Sequence, residues 1–249
     1  MTKKKKNQSQ PKGKQKNSRV LFLTDTHFPY HHQDYYEFLK ALKVKYAFDR
    51  VIHGGDEVDN HAMSFHDSDP DLPSAGDELE IAMVEMKKLY KLFPKVDVLE
   101  SNHGSMIARK AKFHGIPMKY VKSYEDILEA PKGWKWHIDL TLTLSNGKKV
   151  YCTHGLGCKN VLKKSQAMGM SVIQGHFHED SSVLYWANPM DLYFAMQVGS
   201  LVDDDTLAMA YNKANLKRPI LSVGVIINGQ PQIIPMILDK KGRWTGKLV

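Results

Sequence analysis

The 249-residue sequence predicts an α/β fold in which several strands deliver polar side chains to one edge of a sheet. Three observations lead there. Short apolar runs at residues 19–23, 50–53, 96–99 and 171–173 have the length and composition of buried strands. A helix-periodic stretch at 34–46 joins the first two runs, and a strand–helix–strand connection of that length makes a parallel, right-handed unit. Each run ends in a cluster of Asp, His, Asn or Gly, and ligand sites in open α/β sheets lie at the carboxyl ends of strands.

The first run, Arg19-Val20-Leu21-Phe22-Leu23, stops at Thr24-Asp25-Thr26-His27. A carboxylate and an imidazole two residues apart therefore emerge from its end. Residues 34–46 place Tyr35, Phe38, Leu39 and Leu42 on one face, as a helix covering the sheet does. The second run, Arg50-Val51-Ile52-His53, leads into Gly54-Gly55-Asp56-Glu57-Val58-Asp59-Asn60. Its glycine pair permits a tight turn where the backbone comes close to a neighbour. Residues 61–77, with His61, His66, Asp67 and Asp69, read as a long polar loop, either a lid or disorder. A helix with acid at its start (Asp77, Glu78) is expected to bury Ile81, Val84 and Leu92 and to stop at Pro94. The third run, Val96-Asp97-Val98-Leu99, enters Glu100-Ser101-Asn102-His103-Gly104, with a helix beginning near Ser105. Residues 116–139 read as cover for the sheet edge, with Tyr124, Trp134 and Trp136 packed.

Leu140-Thr141-Leu142-Thr143-Leu144 and Lys149-Val150-Tyr151-Cys152 flank Asn146-Gly147, the strongest short hairpin signal. The second arm ends at Thr153-His154-Gly155. A helix over 159–169 precedes Ser171-Val172-Ile173, which opens into Gln174-Gly175-His176-Phe177-His178. Strands are expected at 182–186, 192–197, 219–227 and 232–238, the last two joined at Asn228-Gly229. Gly199 is expected to serve the backbone.

Composition bounds the rest. A chain 42% hydrophobic and 25% charged can bury a core, and no apolar run approaches the roughly 20 residues of a membrane span. The lysine-rich start has no apolar stretch behind it, so it does not read as a secretory signal. Two cysteines, Cys152 and Cys158, are too few for a disulfide framework, and structural roles in a cytoplasmic setting are expected for them. The net charge of +8 belongs to the N-terminus: residues 1–19 hold eight basic residues and no acid, leaving 27 cations against 27 acids. Residues 1–18 are expected to form a disordered basic tail ahead of a single domain over 19–249. That tail reads either as a solvated extension or as a weak contact for nucleic acid.

Five strand ends thus carry Asp-x-His, Gly-Asp-x-x-Asp, Asn-His, His-Gly and Gly-His-x-His, in that order. The set resembles the calcineurin-like metallophosphoesterases over most of residues 19–200. At finer grain it is similar to the small members encoded by tailed bacteriophages. The resemblance implies a four-layer α/β/β/α sandwich of two mixed β-sheets flanked by helices. It also implies one divalent ion held by Asp25, His27, His178 and a bridging Asp56, and a second held by Asp56, Asn102, His154 and His176. His103 would face the substrate phosphate, with Asp59 orienting His103 or a ligand. Two departures stand out: Ser101 replaces the usual Gly before Asn-His, and Gly104 replaces the acid after it.

Nitrogen and oxygen donors without thiolate suit manganese, iron, zinc or nickel, and the donors alone do not name one; manganese is the first expectation, with iron, zinc, nickel, cobalt or magnesium as alternatives. Two close divalent ions make a clamp for in-line displacement at phosphorus by a metal-held hydroxide. The expected activity is a phosphomonoesterase on (deoxy)nucleoside 5′-monophosphates or similar small phosphorylated substrates, in the cytoplasm (of a host cell, if phage-encoded), with no membrane partner. The runner-up is a metal-dependent phosphodiesterase or nuclease acting on single-stranded DNA or cyclic nucleotides. A scaffold without chemistry is disfavoured because every ligand position is filled.

Overall fold

Strand β1 (Arg19–Leu23) is apolar on both faces, which places it between two other layers. Val20 and Phe22 point into one core, Leu21 and Leu23 into another, as the two-residue period of a strand requires. This computed structural model describes residues 17–64, 71–203 and 218–248. Residues 1–16 of the expected tail lie outside them, as do His66, Asp67 and Asp69 of the expected polar loop.

Helix α1 (Tyr35–Tyr46) follows β1, and strand β2 (Arg50–His53) lies parallel beside it, Val20 opposite Arg50. Helix α2 (Ala75–Leu92) then leads to β3 (Val96–Leu99), parallel to β2. Helices α3 (Met106–Phe113) and α4 (Tyr124–Ile127) precede β4 (Trp134–His137), which pairs parallel to β3. The expectation of a simple cover over 116–139 is therefore corrected: its last part is a fourth parallel strand. The packing of its aromatics holds, since Trp134 is buried and its indole donates to Phe93 O at 2.9 Å.

The hairpin β5 (Leu140–Thr143) and β6 (Lys149–Thr153) starts a second sheet. Helix α5 (Val161–Met168) is opened by Asn160, whose side chain accepts from Lys163 N, and closed by Gly169 in the left-handed region. Strands β7 (Ser171–Gln174), β8 (Ser182–Ala187) and β9 (Leu192–Gln197) complete that sheet in the order β5-β6-β7-β9-β8. The chain then returns to the first sheet through β10 (Ser222–Ile227) and β11 (Gln230–Pro235), giving β11-β10-β1-β2-β3-β4. Both sheets mix parallel and antiparallel pairs.

Phe22, Ile52 and Leu99 of the first sheet meet Leu142, Val150, Ile173 and Met196 of the second in one buried layer. Helices α1 and α2 cover the outer face of the first sheet, and α5 that of the second, through Val161 against Val172 and Ala195. The expected four-layer α/β/β/α sandwich is what the chain forms. Cys152 is buried between the sheets, and both cysteines are free thiols.

Helix α2 corrects one expectation. Ile81 and Val84 are 48% and 57% exposed, whereas Ala82, Met86 and Leu89 are fully buried. The helix is apolar on two sides, and the row 82, 86, 89 continues into buried Phe93, so that row wins the core contact. Gly199 does serve the backbone: a Cβ there would lie 2.0 Å from Ile220 O. No helix among the described residues is long and apolar enough to cross a membrane.

Candidate metal centre

The parallel strands β1, β2, β3, β6 and β7 all end at the same rim of the sandwich. Their terminal loops interlock through the backbone. Asp25 N donates to Gly55 O and His27 N to Asp56 O, both at 3.0 Å, and Gly175 N donates to His154 O at 2.9 Å. The glycines make this closeness possible. A Cβ on Gly54 would sit 2.6 Å from Thr24 Oγ1, and one on Gly175 would sit 2.5 Å from Asp25 Oδ2.

Two donor clusters result. In the first, His178 Nε2 lies 3.2 Å from both His27 Nε2 and Asp25 Oδ1. In the second, His154 Nε2 lies 3.1 Å from His176 Nδ1, 2.8 Å from Asn102 Oδ1 and 3.3 Å from Asp56 Oδ2. Asp56 Oδ2 is also 3.7 Å from His27 Nε2, so this carboxylate stands between the clusters. All seven residues anticipated as ligands are thus brought together, with His176 and His178 in different clusters. A third grouping, His27, Asp59 and His103, adjoins them.

Backbone and carboxylate acceptors set which nitrogen each ring presents. His27 Nδ1 donates to Asp59 Oδ1 at 2.5 Å, and His154 Nδ1 donates to Gly54 O at 2.8 Å. Both rings therefore turn Nε2 toward Asp56. His103 Nδ1 donates to the backbone carbonyl of Asp59, while its main-chain N–H donates to Asp56 Oδ1 at 3.0 Å. Asp59 accordingly supports both rings, His27 through its carboxylate and His103 through its carbonyl.

The electrostatics match the geometry. Burial alone would raise the Asp25 carboxyl, but bonds to His178 and His27 outweigh it and hold the group well below the usual carboxylate range. Asp56 is likewise held low, burial being overcome by His154 and His103. Burial opposes a charge on His154, yet the Asp56 carboxylate raises its pKa to about 9; His27 is raised by Asp25 and Asp59 against the same penalty. Three buried carboxylates, Asp25, Asp56 and Asp59, thus draw positive charge onto His27 and His154, whereas burial and the neighbouring His154 hold His176 below its ordinary value. Divalent ions would meet the same demand, and the N/O donor set without thiolate fits them.

Ser101, anticipated only as a tolerated replacement for glycine, has a role of its own. Its hydroxyl accepts from Asp56 N at 2.9 Å and from Gly104 N at 3.2 Å, pinning the Asp56 turn to the His103 turn. Its local sequence, Glu100-Ser101-Asn102-His103-Gly104, carries no signal of that role. Gln174 and Gln197 were also missed. Gln197 Nε2 donates to Gly175 O at 2.9 Å and its carbonyl accepts from Gln174 Nε2 at 2.9 Å, bracing the loop that carries His176 and His178.

The backbone at these turns is unusual. Asp25, His27, Asp56 and His176 have φ of 52°, 46°, 55° and 71°, a left-handed region that non-glycine residues rarely enter.

No protein-family model matches the chain, and no curated protein matches its sequence. Solved structures of similar shape include Vps29 from Chaetomium thermophilum, 8% identical with a TM-score of 0.48, covering 93% of this chain and 95% of that one. A single mutant of Vps29 from Entamoeba histolytica is 14% identical with a TM-score of 0.43, covering 90% and 94%. Vacuolar Protein Sorting 29 from Cryptosporidium parvum is 11% identical with a TM-score of 0.40, covering 87% and 95%. The chemistry of the centre is therefore read from this chain's own residues.

Proposed function

We propose that this chain is a metal-dependent phosphoester hydrolase acting on small phosphomonoesters, with (deoxy)nucleoside 5′-monophosphates as the leading substrates. One observation carries the reading: carboxylate, imidazole and amide side chains from five strand ends, buried or half-buried, gather around the Asp56 carboxylate. Asp25, His27, Asp56 and His178 would hold one divalent ion, and Asp56, Asn102, His154 and His176 a second, manganese being the first choice for both. Bound ions of this kind neutralise phosphoryl oxygens and acidify water near neutral pH.

The chain's own residues supply orientation and a proton. Asp59 and Gly54 hold His27 and His154 with Nε2 inward. The Asp59 carbonyl holds the His103 Nδ1–H, so the imidazolium form would carry its second proton on Nε2 and pass it to the departing oxygen of a phosphate ester, leaving the neutral ring. Ser101 keeps the His103 turn in register with Asp56. The charge balance beyond the basic N-terminus, 27 cations against 27 acids, and the modest size of the chain are the reasons small monophosphates such as deoxynucleotides come first.

The test is a Mn²⁺-supplemented assay of p-nitrophenyl phosphate, deoxynucleoside monophosphates, cyclic nucleotides and single-stranded DNA, side by side. Monophosphate hydrolysis abolished by EDTA is expected. His103→Ala should lower kcat by about 10²–10⁴, and Asp56→Asn should remove activity together with bound metal. Full activity in both variants, or no metal retained by the parent protein, would sink the proposal. Preference for cyclic nucleotides or internal diesters would establish the diesterase instead.

A further inference from the structure

Outside the centre, the charge of the described residues is unevenly spread. Residues 101–124 contain five cations and no acid. The segment leaves the centre directly, because Met106 N donates to His103 O at 3.1 Å and Arg109 Nη2 donates to Asn102 O at 2.9 Å. Helix α3 ends at Phe113, and the chain reverses at Gly115, with φ of 69°, into a 3₁₀ turn at Met118–Tyr120. Ile116 N donates to Ala111 O at 2.8 Å, so helix and turn form one projection.

Every residue from 112 to 120 on this projection is exposed. Phe113 and Tyr120 are 74% and 72% exposed, far beyond what a packed aromatic shows. Lys112, Lys119 and Lys122 stand among them, with Lys119 Nζ 4.9 Å from the Tyr120 ring centroid. Exposed rings interleaved with cations, and without an acid, complement a ligand carrying regular negative charge and planar faces. Single-stranded nucleic acid is that ligand. Lys112 lies about 9 Å along the helix from Met106, at 1.5 Å per residue. That spacing exceeds the separation of adjacent phosphates in a strand, so Lys112 is placed to meet a phosphate more than one nucleotide from the centre.

We propose that the α3–3₁₀ projection is a docking surface for a single-stranded oligonucleotide whose terminal phosphate is presented to the metal centre. This deepens, and rests on, the phosphomonoesterase reading above.

Two measurements on the full-length, Mn²⁺-loaded protein separate the ideas. The first is fluorescence anisotropy of 3′-labelled dT12 without a terminal phosphate, across a salt series. Wild type should bind. The variant K112E/K119E/K122E, with unchanged circular dichroism and its lysine tail intact, should bind at least tenfold more weakly. Its salt slope should be flatter by about two, at roughly 0.7 per phosphate contact for single strands. F113A/Y120A should weaken binding about tenfold with the slope kept, as loss of stacking does. The second measurement compares phosphate release from 5′-phosphorylated dT12 and from dTMP. Wild type should show a higher kcat/KM for the oligonucleotide, and the triple variant should lose that advantage. Absence of dT12 binding, or equal affinity and slope in the triple variant, overturns the docking surface. So does a wild-type dimer in sedimentation equilibrium that buries Phe113 and Tyr120. Failure to hydrolyse either substrate while dT12 still binds in the expected pattern indicts the phosphomonoesterase reading instead.

Discussion

Asp59 shows how one side chain can serve two rings. Its carboxylate accepts from His27 and its carbonyl from His103, so a single residue holds two rings of the centre in orientation. Replacing it should loosen metal before it abolishes chemistry. Asp59→Ala is expected to lower Mn²⁺ affinity by about 10–100-fold, the usual effect of losing the partner of a ligating histidine. Competition with a fluorescent chelator measures this, and unaltered affinity would remove Asp59 from the role. The sequence made Asp59 visible, but not which ring its carboxylate would reach. That depends on left-handed turns at Asp56 and Asn60, which spacing alone does not reveal. Ser101 was legible only as an oddity, because its importance lies in a hydrogen bond to a residue 45 positions away.

Among the elements, short strands ending in polar clusters were readable because burial on both faces leaves a continuous apolar run. Strand β4 was not readable: it lies at the edge of its sheet with only Trp134 buried, so Trp-Lys-Trp-His lacks the continuous apolar run that marks the inner strands. The face of α2 was misread because apolar residues occur on two sides and only the packing partner chooses between them. Helix α1 offers an element-level test. Asp34, just before its first residue, receives a fork from Arg243, Nε donating at 2.8 Å and Nη2 at 2.5 Å. Trp244 N adds a third bond at 2.9 Å, tying the C-terminal segment to the helix start. The Arg243 bond, with Trp244 N assisting against some burial, lowers the Asp34 pKa to about 2. A lowered carboxyl stabilises the fold above its unfolded pKa, near 3.9, and the contribution fades as pH falls toward the folded value. Asp34→Asn should therefore melt roughly 2–4 °C below wild type at pH 7. The gap should close between about pH 4 and pH 2. A gap unchanged at low pH would mean that the charge of Asp34 is not what matters.

At the scale of the whole molecule, the centre straddles the two sheets. Asp25, His27, Asp56 and Asn102 follow strands of the first, whereas His154, His176 and His178 follow strands of the second. Ions bound there would join the two halves, and ligands that bind only the folded state stabilise it by mass action. Mn²⁺ at a hundredfold its Kd should add about 2.7 kcal/mol per site, reversed by EDTA, as read by denaturant unfolding. A midpoint indifferent to Mn²⁺ would count against ions at the centre. The division of strands between sheets was the least legible feature of all. Strand β10 joins the first sheet by pairing Arg19 with Ile227, a contact across most of the chain that no local pattern announces.

The left-handed backbone at Asp25, His27, Asp56 and His176 has a consequence for how the chain would change if its chemistry were released. Each of those positions is one where glycine relieves strain, and such strain is of order 1–3 kcal/mol per residue. A molecule maintained for shape alone would gain stability by accepting glycine at all four. This one keeps a carboxylate or an imidazole at each, and so forgoes that stability at the rim where the two donor clusters meet.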